Sequence, residues 1–282
     1  MKGEKSNMKL FNWPQSSSKE DLQPKEFIEY YSNSYYISKQ TREGEVFYKK
    51  IKNANQSSEY IEKDIERILW NGIESKIDVF HILAWKIGGI DHKASQSESK
   101  ANNKATYIYQ PLDKNGNRWN ESFSDLIAIH WGSKIPNIEK LIDYIYCKKD
   151  EWYQLSFEHC DDAEQVLWDL KCCLMRNQIK CFGSVYLVTL LYFISKGHFP
   201  IYDRQVAKAL NAINNEEIKI DERIEISPLP SIENPEFWNK YCNYIDALKS
   251  LCKNIYGENE TERYQTDRDV DRALWVYGHL FR

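Results

Sequence analysis

The sequence predicts a mainly α-helical globular protein, and three observations carry that prediction. Apolar residues recur at three- and four-residue spacing through most of the chain, the period of one helix face. Serine, aspartate or proline stands where such stretches begin, and glycine or a polar run where they end. Apolar residues make up 42% and aromatics 14% of the 282 residues, enough for a sizeable core.

Residues 1–24 are polar, with Pro14, Pro24 and a Ser-Ser-Ser run, and read as a flexible N-terminal arm. From Pro24, KEFIEYYSNSYYIS reads as a helix, proline being allowed at a helix start. In SEYIEKDIERILW, residues 58–70, Ile61, Ile65, Ile68 and Leu69 form one stripe, with Ser58 as the expected cap. KIDVFHILAWKI, residues 76–87, is a second apolar helix, closed by Gly88-Gly89. Residues 92–105 are a polar loop, and ATYIYQPLDKNGNRWN holds a short strand and a turn at Asn115-Gly116, a small β feature near 105–131. Helices then dominate: DLIAIHW, IEKLIDYIY after Pro136, DAEQVLWDLKCCLMRNQI, SVYLVTLLYFIS, RQVAKALNAI, EFWNKYCNYIDALKSLCKNIY and DRDVDRALWVYGHLF. SVYLVTLLYFIS is apolar all round and therefore a buried helix. The expected division is the arm, a mostly helical part over 25–150, and a helical part over 151–282 with the chemistry-bearing segment. No internal repeat is visible.

The longest apolar run, Val185–Ile194, is ten residues and includes Thr189. A spanning helix needs about 17–25 residues, so no membrane span is expected. The N-terminus MKGEKSNMKLFNWPQ lacks the apolar centre of a signal peptide. Seven cysteines without a C-x-x-C pair read as reduced thiols rather than a disulfide frame or a zinc site. A cytoplasmic protein is the expectation.

The net charge of −4 argues against a uniformly basic nucleic-acid coat. Yet between Lys171 and Lys208 six basic residues (Lys171, Arg176, Lys180, Lys196, Arg204 and Lys208) face one acid, Asp203, so this segment is +5 and the remainder −9. A local positive face on an acidic protein suits a partner whose charge is met at one place, and a solvated helix face is its plain alternative.

Residues 163–213 read as helix, short link KCFGS, buried helix, turn KGHFPIYD, helix. Gly183 in the link is expected to take a backbone that other residues avoid. The N–H groups opening the helix after it make an anion site, which Lys180 would reinforce for a phosphate. Such contacts position a duplex without reading its sequence. Asp203, twenty residues on, stands at the start of RQVAKALNAI, where it serves as an N-cap, as a presented carboxylate, or as both.

This arrangement resembles the helix-hairpin-helix DNA glycosylases, whose hairpin is typically L-P-G-[VI]-G followed by a helix. In that family a catalytic aspartate lies about twenty residues beyond, in a phrase like V-D-x-x-V. Here Ile179-Lys180-Cys181-Phe182-Gly183 falls on the hairpin and Tyr202-Asp203-Arg204-Gln205-Val206 on the aspartate phrase, and FPIYD resembles the branch with F-P-I-[YW]-D. The strong resemblance covers about fifty residues. It implies a helix-hairpin-helix glycosylase-like architecture and double-stranded DNA as partner. Asp203 would be the catalyst. The hairpin residues Lys180, Cys181, Phe182, Gly183, Ser184 and Val185, with Lys196 and Arg204, would contact DNA.

The target base would leave the stack for an aromatic pocket. Tyr202, Tyr186 and Trp85 are the candidates, with Phe199 and Trp168 behind them. No cofactor is implied, apart from room for a monovalent cation at the hairpin.

Two departures stand out. Cys181 replaces the hairpin's first glycine, and Val185 stands where lyase members carry lysine. The implied enzyme is therefore monofunctional, with water attacking the sugar, acting on a modified base in repair or in defence against phage DNA. Two rivals remain: a DNA-binding module without chemistry, and a metal-dependent nuclease using Asp161, Asp162 and Asp169. His81 reads as a satisfied core residue and His92 as a solvated loop residue. Asp161 and Asp162 read as caps, and Asp267, Asp269 and Asp271 as a salt-bridged surface with their neighbouring arginines.

Overall fold

The computed structural model describes residues 24–35, 37–42, 45–50, 54–87, 90–91, 107–108, 136–180, 182–215 and 222–281. The arm up to residue 23, the 92–105 loop with His92, the Asn115-Gly116 turn, DLIAIHW and Cys181 lie outside them. Helices dominate the described residues, in line with the expected class. Two compact units divide the chain. Unit 1 gathers residues 1–50, 202–230 and 235–282; unit 2 holds 51–201 and 231–234. The division expected at 150 falls inside unit 2.

Unit 1 contains α1 (Pro24–Ser34), a hairpin of β1 (Ile37–Arg42) and β2 (Glu45–Lys50), and the helices α7 (Arg204–Asn214), α8 (Glu236–Tyr256), α9 (Arg263–Thr266) and α10 (Arg268–Gly278). α1 starts on its proline as the sequence indicated, but it stops at Ser34 rather than running to Ser38. The chain then turns into β1, antiparallel to β2 from Ile37 opposite Lys50 to Arg42 opposite Glu45. The sequence reading missed this hairpin.

α1 packs on α10 through aromatic edges. Phe27 and Tyr31 each lie 5.1 Å from the Tyr277 ring centroid. α10 in turn packs on α7, and the approach is close: a Cβ on Gly278 would sit 1.9 Å from the Gln205 carbonyl oxygen. Glycine is therefore a steric requirement there. Arg268 and Arg272 are buried at 4% and 7% exposure and pair with Asp271 at 2.6 Å and Asp269 at 3.1 Å. The expected salt bridges exist, but their arginines belong to the interior rather than the surface.

Unit 2 contains α2 (Ala54–Asn71), α3 (Lys76–Ile87), α4 (Ile138–Trp152), α5 (Cys160–Arg176) and α6 (Ser184–Ile194), with short parallel strands β3 (Ile90–Asp91) and β4 (Tyr107–Ile108). β4 is the described part of the β feature expected near 105–131. α2 begins at Ala54, so Ser58 lies inside the helix and not at its cap. Its stripe is buried as expected at Ile65, Ile68 and Leu69.

α3 opens on a capping box. The Ser75 hydroxyl accepts the Asp78 N–H at 3.3 Å, and Asp78 Oδ2 accepts the N–H groups of Ser75 (2.8 Å) and Glu74 (2.9 Å). Asp78 also takes Arg67 at 2.5 Å, while Arg67 bridges to Asp64 at 3.0 Å. Asp64 Oδ2 lies 2.9 Å from His81 Nδ1, which makes His81 the satisfied core residue the sequence suggested. α6 is buried from Leu187 through Ile194 and packs against α2, α3 and α5.

Candidate functional site

The link between α5 and α6 is built by a helix stop rather than by glycine. α5 ends in a Schellman-type turn: Ile179 N–H reaches the Leu174 carbonyl at 2.9 Å, and Gln178 adopts φ 53°, the left-handed region. Ile179 then turns inward at 7% exposure, and Lys180 is exposed. Gly183 is the N-cap of α6 with φ −82° and ψ 179°, an extended backbone open to any residue. The expectation that Gly183 serves an unusual backbone is therefore corrected: the left-handed residue is Gln178.

No atom of the described residues lies within 4 Å of a Cβ built on Gly183, so neither its conformation nor its described neighbours ask for glycine there. Gly183 has no side chain and so gives α6 no N-cap hydrogen bond of its own. The N-terminus of α6, with exposed Lys180 just before it in the chain, keeps the features of an anion site. Ser184 is buried and Val185 half-buried in that turn. Phe182 is buried and packs edge-to-face on Tyr186 at 5.4 Å.

α6 ends as α5 does. Lys196 takes φ 50°, Gly197 φ 91°, and Gly197 N–H bonds the Tyr192 carbonyl at 2.9 Å. The Ser195 hydroxyl, fully buried, accepts the Phe199 N–H at 3.2 Å and so fixes the turn into FPIYD. Lys196 Nζ lies 5.4 Å from the Tyr153 ring centre, a cation–π contact.

In unit 1, Asp203 is the N-cap of α7. With φ −124° and ψ 136° it precedes the first helical residue, and Oδ1 accepts the Gln205 N–H at 2.8 Å. The cap reading of Asp203 is thus met by geometry. Its own N–H donates to the Tyr244 hydroxyl. Burial, followed by the negative charges of Asp271 and Asp203, pushes the Tyr244 phenol well above its ordinary range. Tyr244 also stacks on Tyr202 with centroids 4.9 Å apart. Tyr202 is 4% exposed and its hydroxyl donates to the Ser227 carbonyl at 3.3 Å. Arg204 opens α7 and is exposed.

Sequence reasoning missed Tyr244, and it read Asp271 as a salt-bridge partner without its influence on Tyr244. The only trace of Tyr244 was its place three residues after Tyr241 on an apolar stripe of α8.

The remaining candidates divide by surroundings. Trp85 is half-buried, donates from Nε1 to Glu62 at 2.7 Å and packs edge-on against Phe193. Phe199 is 6% exposed and lies edge-to-face with Phe157, whereas Trp168 is 39% exposed on α5. Asp162 accepts the Phe157 N–H at 2.9 Å ahead of α5, and Asp169 accepts from Trp152 Nε1 at 3.1 Å. Two of the three carboxylates of the nuclease rival are thereby engaged in holding the fold. Among the described residues, no group of three or more His, Cys, Asp or Glu side chains is placed to share an ion. Nor is any helix among them long and apolar enough to cross a membrane.

The basic segment is also thinner than its composition suggested. Lys208 is 5% exposed and donates to the Phe281 carbonyl at 3.2 Å, and Lys171 pairs with Glu233 at 3.3 Å. Comparisons with protein-family models, with curated proteins and with solved structures returned no match.

Proposed function

We propose that this protein is a monofunctional DNA glycosylase of the helix-hairpin-helix type, hydrolysing the N-glycosidic bond of a flipped-out, modified base to leave an abasic site. One observation carries the reading. Asp203 caps α7 with a single carboxylate, twenty residues after a link whose glycine no described residue crowds. A glycine with no described atom crowding it, as the N-cap of a helix that follows Lys180 in the chain, suits the close approach of a phosphate.

Cleavage of an N-glycosidic bond builds positive charge on the sugar. In this reading the Asp203 carboxylate stabilises that charge and orients or deprotonates the attacking water. The Gln205 N–H and the Tyr244 hydroxyl fix the carboxylate and its backbone in one orientation. Val185 offers no amine for a Schiff base, so strand cleavage is not part of the reaction. The family resemblance behind this reading extends it to a role in repair or in defence against modified phage DNA.

The test is alkali-revealed strand breaks in modified and unmodified duplexes. Wild type is expected to produce abasic sites without added metal. Asp203→Asn, which keeps an oxygen to accept the Gln205 N–H, is expected to stay as stable and to bind duplex, but to lose the product. Asp203→Ala is expected to lose both the product and about 1 kcal/mol of stability with the cap. Binding without any abasic product would replace this reading with that of a DNA-binding module. Cleavage that needs magnesium and no alkali would replace it with the nuclease.

A further inference from the structure

Along α7 and α8 of unit 1 lies a cavity of about 370 Å³ that the hairpin and Asp203 do not explain. Small-ligand sites occupy about 300–1,000 Å³, so it is large enough for a molecule of nucleoside size. The sequence sets its walls by helical spacing. α7 contributes Ala207, Leu210, Asn211 and Asn214, and α8 contributes Lys240, Asn243, Tyr244 and Ala247, each set at i, i+3, i+4, i+7. Ile226 and Ser227 close one side, and Tyr202 joins Tyr244 in the wall.

The polar groups have a definite character. Lys240 Nζ is held by the carbonyls of Ser227 at 2.6 Å and Pro228 at 3.0 Å, and Glu225 pairs with Arg223 at 2.9 Å. Two of the Lys240 donors are thus taken by backbone carbonyls and Glu225 has its arginine, so neither charged side chain is presented to the cavity as an anchor for an ionic ligand. What remains is three exposed carboxamides, Asn211, Asn214 and Asn243, around apolar walls of alanine, leucine and isoleucine.

A carboxamide offers an N–H donor beside a C=O acceptor, the complement of a heterocycle edge that alternates acceptors and donors. The flat faces of such a ring suit the apolar walls. A sugar would look for an open aromatic platform, but Tyr202 and Tyr244 are only 4% and 6% exposed. Asn214 stands eleven positions beyond Asp203 on α7, about 16 Å along the helix axis, so the asparagine end is separate from the carboxylate.

We propose that this cavity is a second site, for an uncharged nucleobase. The base comes either from a free nucleoside or from an unpaired position in a nucleic-acid strand. The proposal rests on the cavity alone and not on glycosylase chemistry.

Isothermal titration with adenosine, guanosine, cytidine and thymidine tests it, alongside short single-stranded oligonucleotides. At least one is expected to bind saturably, one to one. Asn243→Ala, at an exposed position the fold tolerates, should weaken that binding about tenfold through the lost donor–acceptor pair. Ala247→Phe should abolish it by filling the cavity, with folding checked by circular dichroism. Equal affinity for nucleoside and oligonucleotide identifies the free nucleoside as the source, and tighter oligonucleotide binding identifies the strand. Asn243→Ala should leave the formation of abasic sites unchanged while it weakens nucleoside binding, which separates this site from the proposed catalytic one. The proposal is overturned if no nucleoside or oligonucleotide binds saturably, or if both variants bind as wild type does.

Discussion

Gly183 and Gly278 are the same residue under opposite constraints. Gly278 has a carbonyl oxygen 1.9 Å from where a Cβ would stand, and Gly183 has no described atom within 4 Å. Gly278→Ala forces α10 away from α7 and should cost about 3 kcal/mol or more, seen as a lowered urea midpoint. Gly183→Ser places a favoured N-cap residue on an extended backbone, and stability should rise by about 0.5 kcal/mol. If a phosphate approaches there, the same change should weaken duplex binding in a filter or anisotropy assay. Stability and affinity moving in opposite directions would distinguish a ligand-facing glycine from an indifferent one. Asp203 and Gly183 were legible in the sequence because aspartate is a favoured cap before a helical stretch and glycine punctuates the link between two such stretches. Tyr244 was not, since its bond to Asp203 joins residues forty-one positions apart and leaves no local pattern.

Among the elements, α3 shows how one side chain can hold both a cap and an ion pair. Asp78, at 2% exposure, accepts two backbone N–H groups and Arg67 together. Asp78→Ala should therefore lower stability by about 3 kcal/mol, because it strips the cap and leaves Arg67 without its most buried partner. Glu74→Gln, which removes an exposed pair to the same arginine, should cost no more than about 0.5 kcal/mol. Chemical denaturation of both variants checks the contrast.

Helical periodicity made α2, α5, α7, α8 and α10 readable, because each buries a stripe that repeats within its own length, while α3 and α6 were readable as apolar runs of helical length. The β1–β2 hairpin was not readable. Its strands, ISKQTR and EVFYKK, are mostly polar and carry no sustained alternation, and their pairing is not a local property. α2 was entered four residues late because Ser58 is a good cap in isolation, while the helix itself begins at Ala54. The buried arginines of α10 escaped notice because alternating charge normally marks a solvated face.

At the scale of the molecule, buried phenols tie stability to pH. Tyr153 in unit 2 and Tyr264 in unit 1 are each pushed by burial from 10.0 to about 12. The folded state thus prefers the protonated phenol. Their contribution is complete below pH 10 and is lost as pH rises from 10 to about 12, because the unfolded chain ionises first. Urea midpoints should stay flat on this account through the neutral range and fall across that alkaline window, in step with tyrosinate absorbance. Tyr153→Phe should flatten part of the fall, although it also removes the acceptor of the Ile73 N–H.

Unit 1 closes α1 against α10, while the whole run from 51 to 201 belongs to unit 2. On the ribosome these two helices appear far apart in time. At about 5–20 residues per second, α1 waits on the order of tens of seconds for the surface it will cover. During that interval Phe27 and Tyr31 have no Tyr277 to meet, and unit 2 can already have formed. The order of synthesis thus makes α1, the first of the described helices, one of the last of them to be locked in place.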